Sequence, residues 1–365
     1  MSKVNILESR EEIAKLDKSN MLGSIEALAD QVKHAWEETQ KLSFSYPEEI
    51  RNVVVVGMGG SALGADVFKN IFMDTLAVPF EVYNGYDLPA YANKNTLVIL
   101  SSYSGTTEEV INCVDQTIEK QTQIAIITAG GELKKIAEEN NYPAYFIDPV
   151  HNPSNQPRMA LGYALIGLFG LMNTAGITHI SQEDIDQIIT TILLIILVAL
   201  IISANLGVET PQDNNQAKLL AFSSIERRPV FLGSEFLKGG LHVAANQWNE
   251  NAKMFADFKV IPEINHHLLE GLKFPKSNAL NHFFVFFNSE LYQDRNQKRM
   301  KITQQVVEQN EIETISVELV SETKLTQVFE LITLMSYAGF YLSMLERLDP
   351  SPIPFVDMFK EELKK

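Results

Sequence analysis

The chain has 365 residues, 45% of them hydrophobic and 21% charged, which is enough for two domains with cores of their own. Its formal charge of −16 argues against nucleic acid as a partner, because gripping a phosphate backbone needs clustered Lys and Arg. A single cysteine, Cys113, excludes an intrachain disulfide and a thiolate metal site and fits a reducing cytoplasm.

The N-terminal residues are charged and lack the apolar core of a secretory signal, so residues 1–50 read as a helical arm, with helices near 9–16 and 20–42. Apolar runs at 53–56, 80–83, 97–100, 124–127 and 144–147 then alternate with helical patterns at 62–73, 108–120 and 132–140. This alternation predicts an α/β fold, a doubly wound parallel sheet whose ligand lies beyond the carboxyl ends of the strands. Such a domain is expected over 51–175, followed by a linker over 176–215 and a second domain over 216–365. Within the linker, residues 188–204 carry no charge over 17 positions, about the lower limit for spanning a bilayer. Its flanks, Asp184, Asp186, Glu209 and Asp213, lack the positive anchors of a membrane span, so the run reads as a helix buried at a domain or subunit interface.

The second half repeats the pattern, with strand-like runs at 229–232, 259–261, 283–287 and 313–317. Helices are expected from Gly233-Ser234 through Lys253, at 294–309, at 325–345 and after the stiff turn Asp349-Pro350-Ser351-Pro352-Ile353-Pro354. A strand, a Gly–Ser turn and a helix thus occur twice. This suggests two doubly wound domains with their loop-bearing edges facing each other.

Several stretches can carry chemistry. Gly57-Met58-Gly59-Gly60-Ser61 sits between a buried strand and a helix start, where backbone N–H groups and the helix dipole favour an anion. The spacing Gly57-x-Gly59-x-x-Ala62 also fits a looser dinucleotide fingerprint. Ser101-Ser102-Tyr103-Ser104-Gly105-Thr106-Thr107 ends another strand of the same sheet. Its hydroxyls complement phosphate oxygens without adding charge, and their number exceeds what helix capping needs. Two anion loops on two strands weigh against a dinucleotide. Arg158 stands at a helix start, where the dipole prefers an acid, so it is expected to meet an anion. In Gln247-Trp248-Asn249-Glu250-Asn251-Ala252-Lys253, composition alone shows a polar helix face. In Ile261-Pro262-Glu263-Ile264-Asn265-His266-His267, adjacent histidines suit acid–base work better than a metal.

Taken in order, the glycine turn, Ser102-Tyr103-Ser104-Gly105-Thr106-Thr107-Glu108-Glu109, Pro153-Ser154-Asn155-Gln156-Pro157-Arg158, Asn249-Glu250-Asn251-Ala252-Lys253 and Pro262-Glu263-Ile264-Asn265-His266 resemble the bifunctional phosphoglucose/phosphomannose isomerase family. Its members are built from two sugar-isomerase (SIS) domains, and the likeness runs from about Arg51 to the C-terminus. The resemblance implies that Gly59, Gly60, Ser61, Ser102, Ser104 and Thr107 cradle a sugar phosphate and that Arg158 stabilises an enediolate. It further implies that Glu250 shuttles the proton, that His266 assists ring opening from a neighbouring subunit of a dimer, and that Lys360 is a site lysine. No metal or redox cofactor is called for. Thr106, Asn155 and His267 replace the family's usual Asn, Gly and Asn, and the last raises His267 as an alternative working histidine. The expected reaction interconverts glucose 6-phosphate with fructose 6-phosphate, and also mannose 6-phosphate if the enediol can rotate in the pocket. The rivals are a non-catalytic SIS sensor of phosphosugars and an NAD(P)-dependent enzyme.

Overall fold

The computed structural model describes residues 5–197 and 205–365. Five strands, β1 (Asn52–Gly57), β2 (Phe80–Tyr83), β3 (Thr96–Ser101), β4 (Gln123–Thr128) and β5 (Ala144–Phe146), form an all-parallel sheet in the order β2-β1-β3-β4-β5. The four valines of β1 follow from burial on both faces. Val53 and Val55 enter the main core, while Val54 and Val56 meet Val110, Cys113 and Leu133 from the helices Glu108–Glu119 and Gly131–Asn140. The second sheet, β6 (Arg228–Ser234), β7 (Asp257–Ile261), β8 (His282–Ser289) and β9 (Glu313–Leu319), is also parallel, in the order β7-β6-β8-β9. This is the first sheet's order without its last strand, so the predicted pair of doubly wound domains is present.

A shared layer of helices joins the sheets. The helix Gly60–Phe72 that follows β1 packs on the helix Lys238–Asn251 that follows β6. Their backbones nearly touch, since a Cβ on Gly239 would lie 2.4 Å from Val67 Cα. Across the same seam, Asp66 and His242 approach to 2.5 Å. Further along, Gln247 Nε2 donates to the Arg158 carbonyl at 3.1 Å, and Gly60 lies against Arg158, with 3.1 Å from its ideal Cβ to Arg158 N. The two helices therefore run antiparallel. Each helix starts at the carboxyl edge of its own sheet, so the carboxyl edge of the first sheet meets the amino edge of the second. The expected meeting of two loop-bearing edges is corrected by this packing.

The helix Lys324–Leu345 backs the layer and accepts the Trp248 indole, whose Nε1 donates to the Met335 carbonyl at 2.9 Å. It is the one helix among the described residues long and apolar enough to cross a membrane, yet 94% of its apolar window is buried inside the protein. The linker helix Gln182–Leu197 packs between Leu28–Thr39 and Lys324–Leu345, burying Ile185, Ile188 and Ile192 while Leu193 and Leu194 stay exposed. The apolar run read from the sequence thus begins as a one-sided core helix. Its remainder, residues 198–204, lies outside the described residues.

At the N-terminus the helix expected over 20–42 divides into Met21–Glu26 and Leu28–Thr39, because Ala27 leaves helical geometry at ψ 9°. These residues are part of the core: Met21, Val32 and Trp36 are buried, and Leu28–Thr39 packs on the helix Leu161–Thr174.

Candidate active site

The site is assembled where the β1 and β3 carboxyl ends meet the end of the helix Lys238–Asn251. In an open α/β sheet of this order, the β1/β3 boundary is the switch point at which ligands bind. Gly59, in left-handed backbone at φ +49°, starts the helix Gly60–Phe72 with no side chain capping it. Gly60 allows the Pro157–Arg158 backbone to press against the turn. Ser61 ties the two loops together: its Oγ accepts the Tyr103 N–H at 2.9 Å, and its carbonyl accepts from Ser101 Oγ at 2.9 Å.

The hydroxyl-rich loop is internally organised. Ser102, fully buried, has its Oγ 2.7 Å from Thr107 Oγ1 and 3.5 Å from Ser104 Oγ, and it accepts the Gly105 N–H at 3.0 Å. Thr107 occupies the N-cap position of the helix Glu108–Glu119 yet makes no capping bond, because its hydroxyl is turned toward Ser102. Helix capping therefore does not explain the cluster. An uncapped helix start with three gathered hydroxyls offers donors to an anion. Gly105 is required here: φ is +69°, and a Cβ would fall 1.8 Å from the Gly130 carbonyl oxygen.

Arg158 is 2% exposed and pairs within the protein with the Glu250 carboxylate, its Nη1 3.1 Å from Oε2. Its remaining donors are engaged as well. Nε donates to Asn251 Oδ1 at 2.5 Å, Nη1 to Gln156 Oε1 at 2.8 Å, and Nη2 to the Pro350 and Ser351 carbonyls at 3.1 and 2.9 Å. Five acceptors thus surround the guanidinium, four through hydrogen bonds and Glu250 through an ion pair. Burial pushes the Arg158 pKa below its ordinary value, and Glu250 pulls in the opposite direction. Glu250 is about one-third exposed, so its side chain is open to solvent where that of Arg158 is not. Asn155 does adopt left-handed backbone, at φ +51°, where the family's usual residue is glycine, and its Oδ1 accepts from Tyr103 Oη at 3.1 Å.

Two of the sequence-predicted residues are not brought to this point. His266 ends the short helix Glu263–His266 beyond the carboxyl end of β7, whereas Glu250 lies near the amino end of that strand. Five residues of strand, about 17 Å, separate the two ends. Among the described residues the His266 side chain is exposed and makes no hydrogen bond, while His267 pairs with Glu263 at 2.8 Å on its own turn. Lys360 is exposed on the helix Pro354–Leu363, whose Phe355, Met358, Phe359 and Leu363 are also uncovered. The duplicated turn of the second domain is no second anion site. Glu235 stands there at φ +48°, and its carboxylate accepts from Gln293 N at 3.0 Å and Asn296 Nδ2 at 2.7 Å.

The helix expected through Lys253 stops at Asn251. The sequence reading also assigned no part to Asn251, Gln247 or the Pro350 and Ser351 carbonyls. Gln247 and Asn251 are each 1% exposed, four residues apart on a helix that otherwise buries Leu, Val, Ala and Trp. Two amides on one buried face were the available signal.

The SIS domain family matches residues 48–166, and the bacterial phospho-glucose isomerase C-terminal SIS domain family matches residues 213–363. The bifunctional phosphoglucose/phosphomannose isomerase of Caldicellulosiruptor bescii is 31% identical over 354 residues, covering 94% of this chain and 98% of that protein. The protein of the same name from Thermoplasma volcanium is 28% identical, covering 85% and 91%. Among solved structures, a hypothetical protein from Thermus thermophilus shares the fold at TM-score 0.72 and 16% identity, covering 94% of this chain and 89% of the other. With its two SIS domains and a relative of this identity matched almost end to end, the chain belongs to the bifunctional phosphoglucose/phosphomannose isomerase family, whose reaction class is sugar-phosphate isomerisation.

Proposed function

We propose that this protein interconverts glucose 6-phosphate and fructose 6-phosphate through a cis-enediolate, with Glu250 as the base, and that mannose 6-phosphate enters the same intermediate. The supporting observation is the Arg158–Glu250 pair, formed beside the turn that opens the helix Gly60–Phe72. Ser61, Ser102, Ser104, Thr107 and the backbone at Gly59 and Gly60 take the phosphate, anchoring the substrate away from the reacting carbons.

Aldose-to-ketose conversion then requires Glu250 to remove the proton from C2 while the electron pair moves onto the carbonyl oxygen at C1. The hydroxyl proton on O2 passes to O1, and the same carboxyl returns the carbon-bound proton to C1 as the carbonyl forms at C2. Arg158 serves this step by balancing charge. When Glu250 gains the proton it becomes neutral, and the negative charge moves to the enediolate beside it. The guanidinium, fixed by Asn251 and by the Pro350 and Ser351 carbonyls, stays in place and changes partner. With Nε and Nη2 held by Asn251 and the turn carbonyls, the Nη1 contacts to Glu250 and Gln156 are the ones that yield to substrate.

His266 assists ring opening from a second copy of the chain in a cytoplasmic homodimer. The strand-length separation from Glu250 and the uncovered apolar face of the Pro354–Leu363 helix favour this over a site closed within one chain. Lys360 lies on that helix and joins the site with it. Replacing Glu250 with Gln tests the base. Isomerisation falls by at least roughly 100-fold while sugar-phosphate binding persists, and unchanged turnover removes Glu250 from the mechanism.

A further inference from the structure

Lys253 follows the helix that carries Glu250. Asn251 ends that helix and Ala252 caps it, donating its N–H to the Trp248 carbonyl, so Lys253 occupies the next position, in left-handed backbone at φ +55°. Glycine is favoured there because a Cβ is strained in this conformation. A lysine in its place calls for a reason in the side chain. Its Nζ donates to the Glu250 carbonyl at 2.5 Å and to the Pro350 carbonyl at 3.0 Å. Arg158 donates to the same Pro350 carbonyl and to that of Ser351. Two cations, one from each domain, therefore close on one turn, residues 349–351, whose Pro350 and Ser351 are buried, just before the Pro354–Leu363 helix departs.

We propose that Lys253 is a positioning residue that fastens the 349–351 turn to the end of the base-bearing helix, and so holds the Arg158 guanidinium and the Glu250 carboxylate in register for proton transfer. The proposal rests on Glu250 being the base. The turn supplies two of the five acceptors of Arg158, so a loosened turn lets the guanidinium rotate about its Nε–Asn251 bond and carries the Glu250 oxygens with it. Burial, with Arg158 adding its repulsion, brings the Lys253 ammonium down to about 8, against the opposing pull of Asp349 and Glu250. The charged form prevails below that pH, and the two charge-assisted bonds weaken as the pH rises through it.

The test uses the full-length chain with Lys253→Gly, Lys253→Arg and Glu250→Gln side by side. Glycine relieves the backbone, so Lys253→Gly is expected to melt within about 3 °C of the native protein. Its kcat is expected to fall at least about 10-fold, while KM changes less than about 3-fold because the phosphate loops belong to the other domain. Lys253→Arg restores most of the turnover and moves the alkaline fall in kcat above about 8, since its charge does not titrate there. A native kcat in Lys253→Gly beside an inactive Glu250→Gln overturns the latch alone. A rise in KM with kcat retained also overturns it, making Lys253 a substrate contact, and a fully active Glu250→Gln removes base and latch together.

Discussion

At the scale of single residues, the site depends on where hydrogen bonds are already spent and where they are open. Arg158 is saturated by five acceptors, which makes it a fixed charge rather than a mobile hook. The hydroxyls of Ser102, Ser104 and Thr107 are gathered instead around an uncapped helix start. A hydrogen bond to a charged group contributes about 1.5–3 kcal/mol, so Ser102→Ala is expected to raise KM roughly 10- to 100-fold. Steady-state kinetics should show kcat changed only a few-fold, since Glu250 and Arg158 are untouched by that substitution.

At the scale of elements, most of the framework was legible in the sequence. Residues 53–56 read as a strand because four consecutive valines suit a strand covered on both faces, and 294–309 read as a helix with the bounds observed. Element ends were less legible. The helix over 20–42 hid a break at Ala27, where no Gly or Pro marks it, and the helix through Lys253 stopped at Asn251 in a conformation that lysine rarely takes. Within the site, the motif residues were recognisable by type and spacing. The partners Asn251, Gln156 and the Pro350 and Ser351 carbonyls were not, because backbone acceptors 192 and 193 residues from Arg158 leave no local pattern. The two site glycines with positive φ also differ in a way that only the packing reveals. Gly59 has open space where a Cβ would go, but at Gly105 the same atom meets the Gly130 carbonyl. Gly59→Ala should cost about 1–3 kcal/mol, because φ +49° with ψ −128° is backbone that only glycine adopts freely, whereas Gly105→Ala should exceed about 3 kcal/mol in denaturant titrations.

At the scale of the whole molecule, the antiparallel pairing of Gly60–Phe72 with Lys238–Asn251 joins the carboxyl edge of one sheet to the amino edge of the other. That pairing brings Glu250 to Arg158 beside the Gly59-Gly60 turn and also leaves His266 at the far edge of its own sheet. A site shared between two copies makes a distinctive prediction. Glu250→Gln and His266→Ala homodimers are each impaired at both of their sites. Subunit exchange in an equal mixture forms heterodimers in which one site has both native residues, and activity should recover to about a quarter of the native value. No recovery on confirmed exchange places His266 outside the shared site.

The central claim is that the pair of Glu250 and Arg158 isomerises a sugar phosphate held by the loops after β1 and β3. It is tested most directly by following fructose 6-phosphate formation in a coupled assay, with glucose 6-phosphate and mannose 6-phosphate supplied separately to the native protein and to Glu250→Gln. The account predicts product from both sugars with the native chain and at least roughly 100-fold less with the variant. Absence of product from either sugar with the native chain, or equal rates in the two proteins, would contradict it.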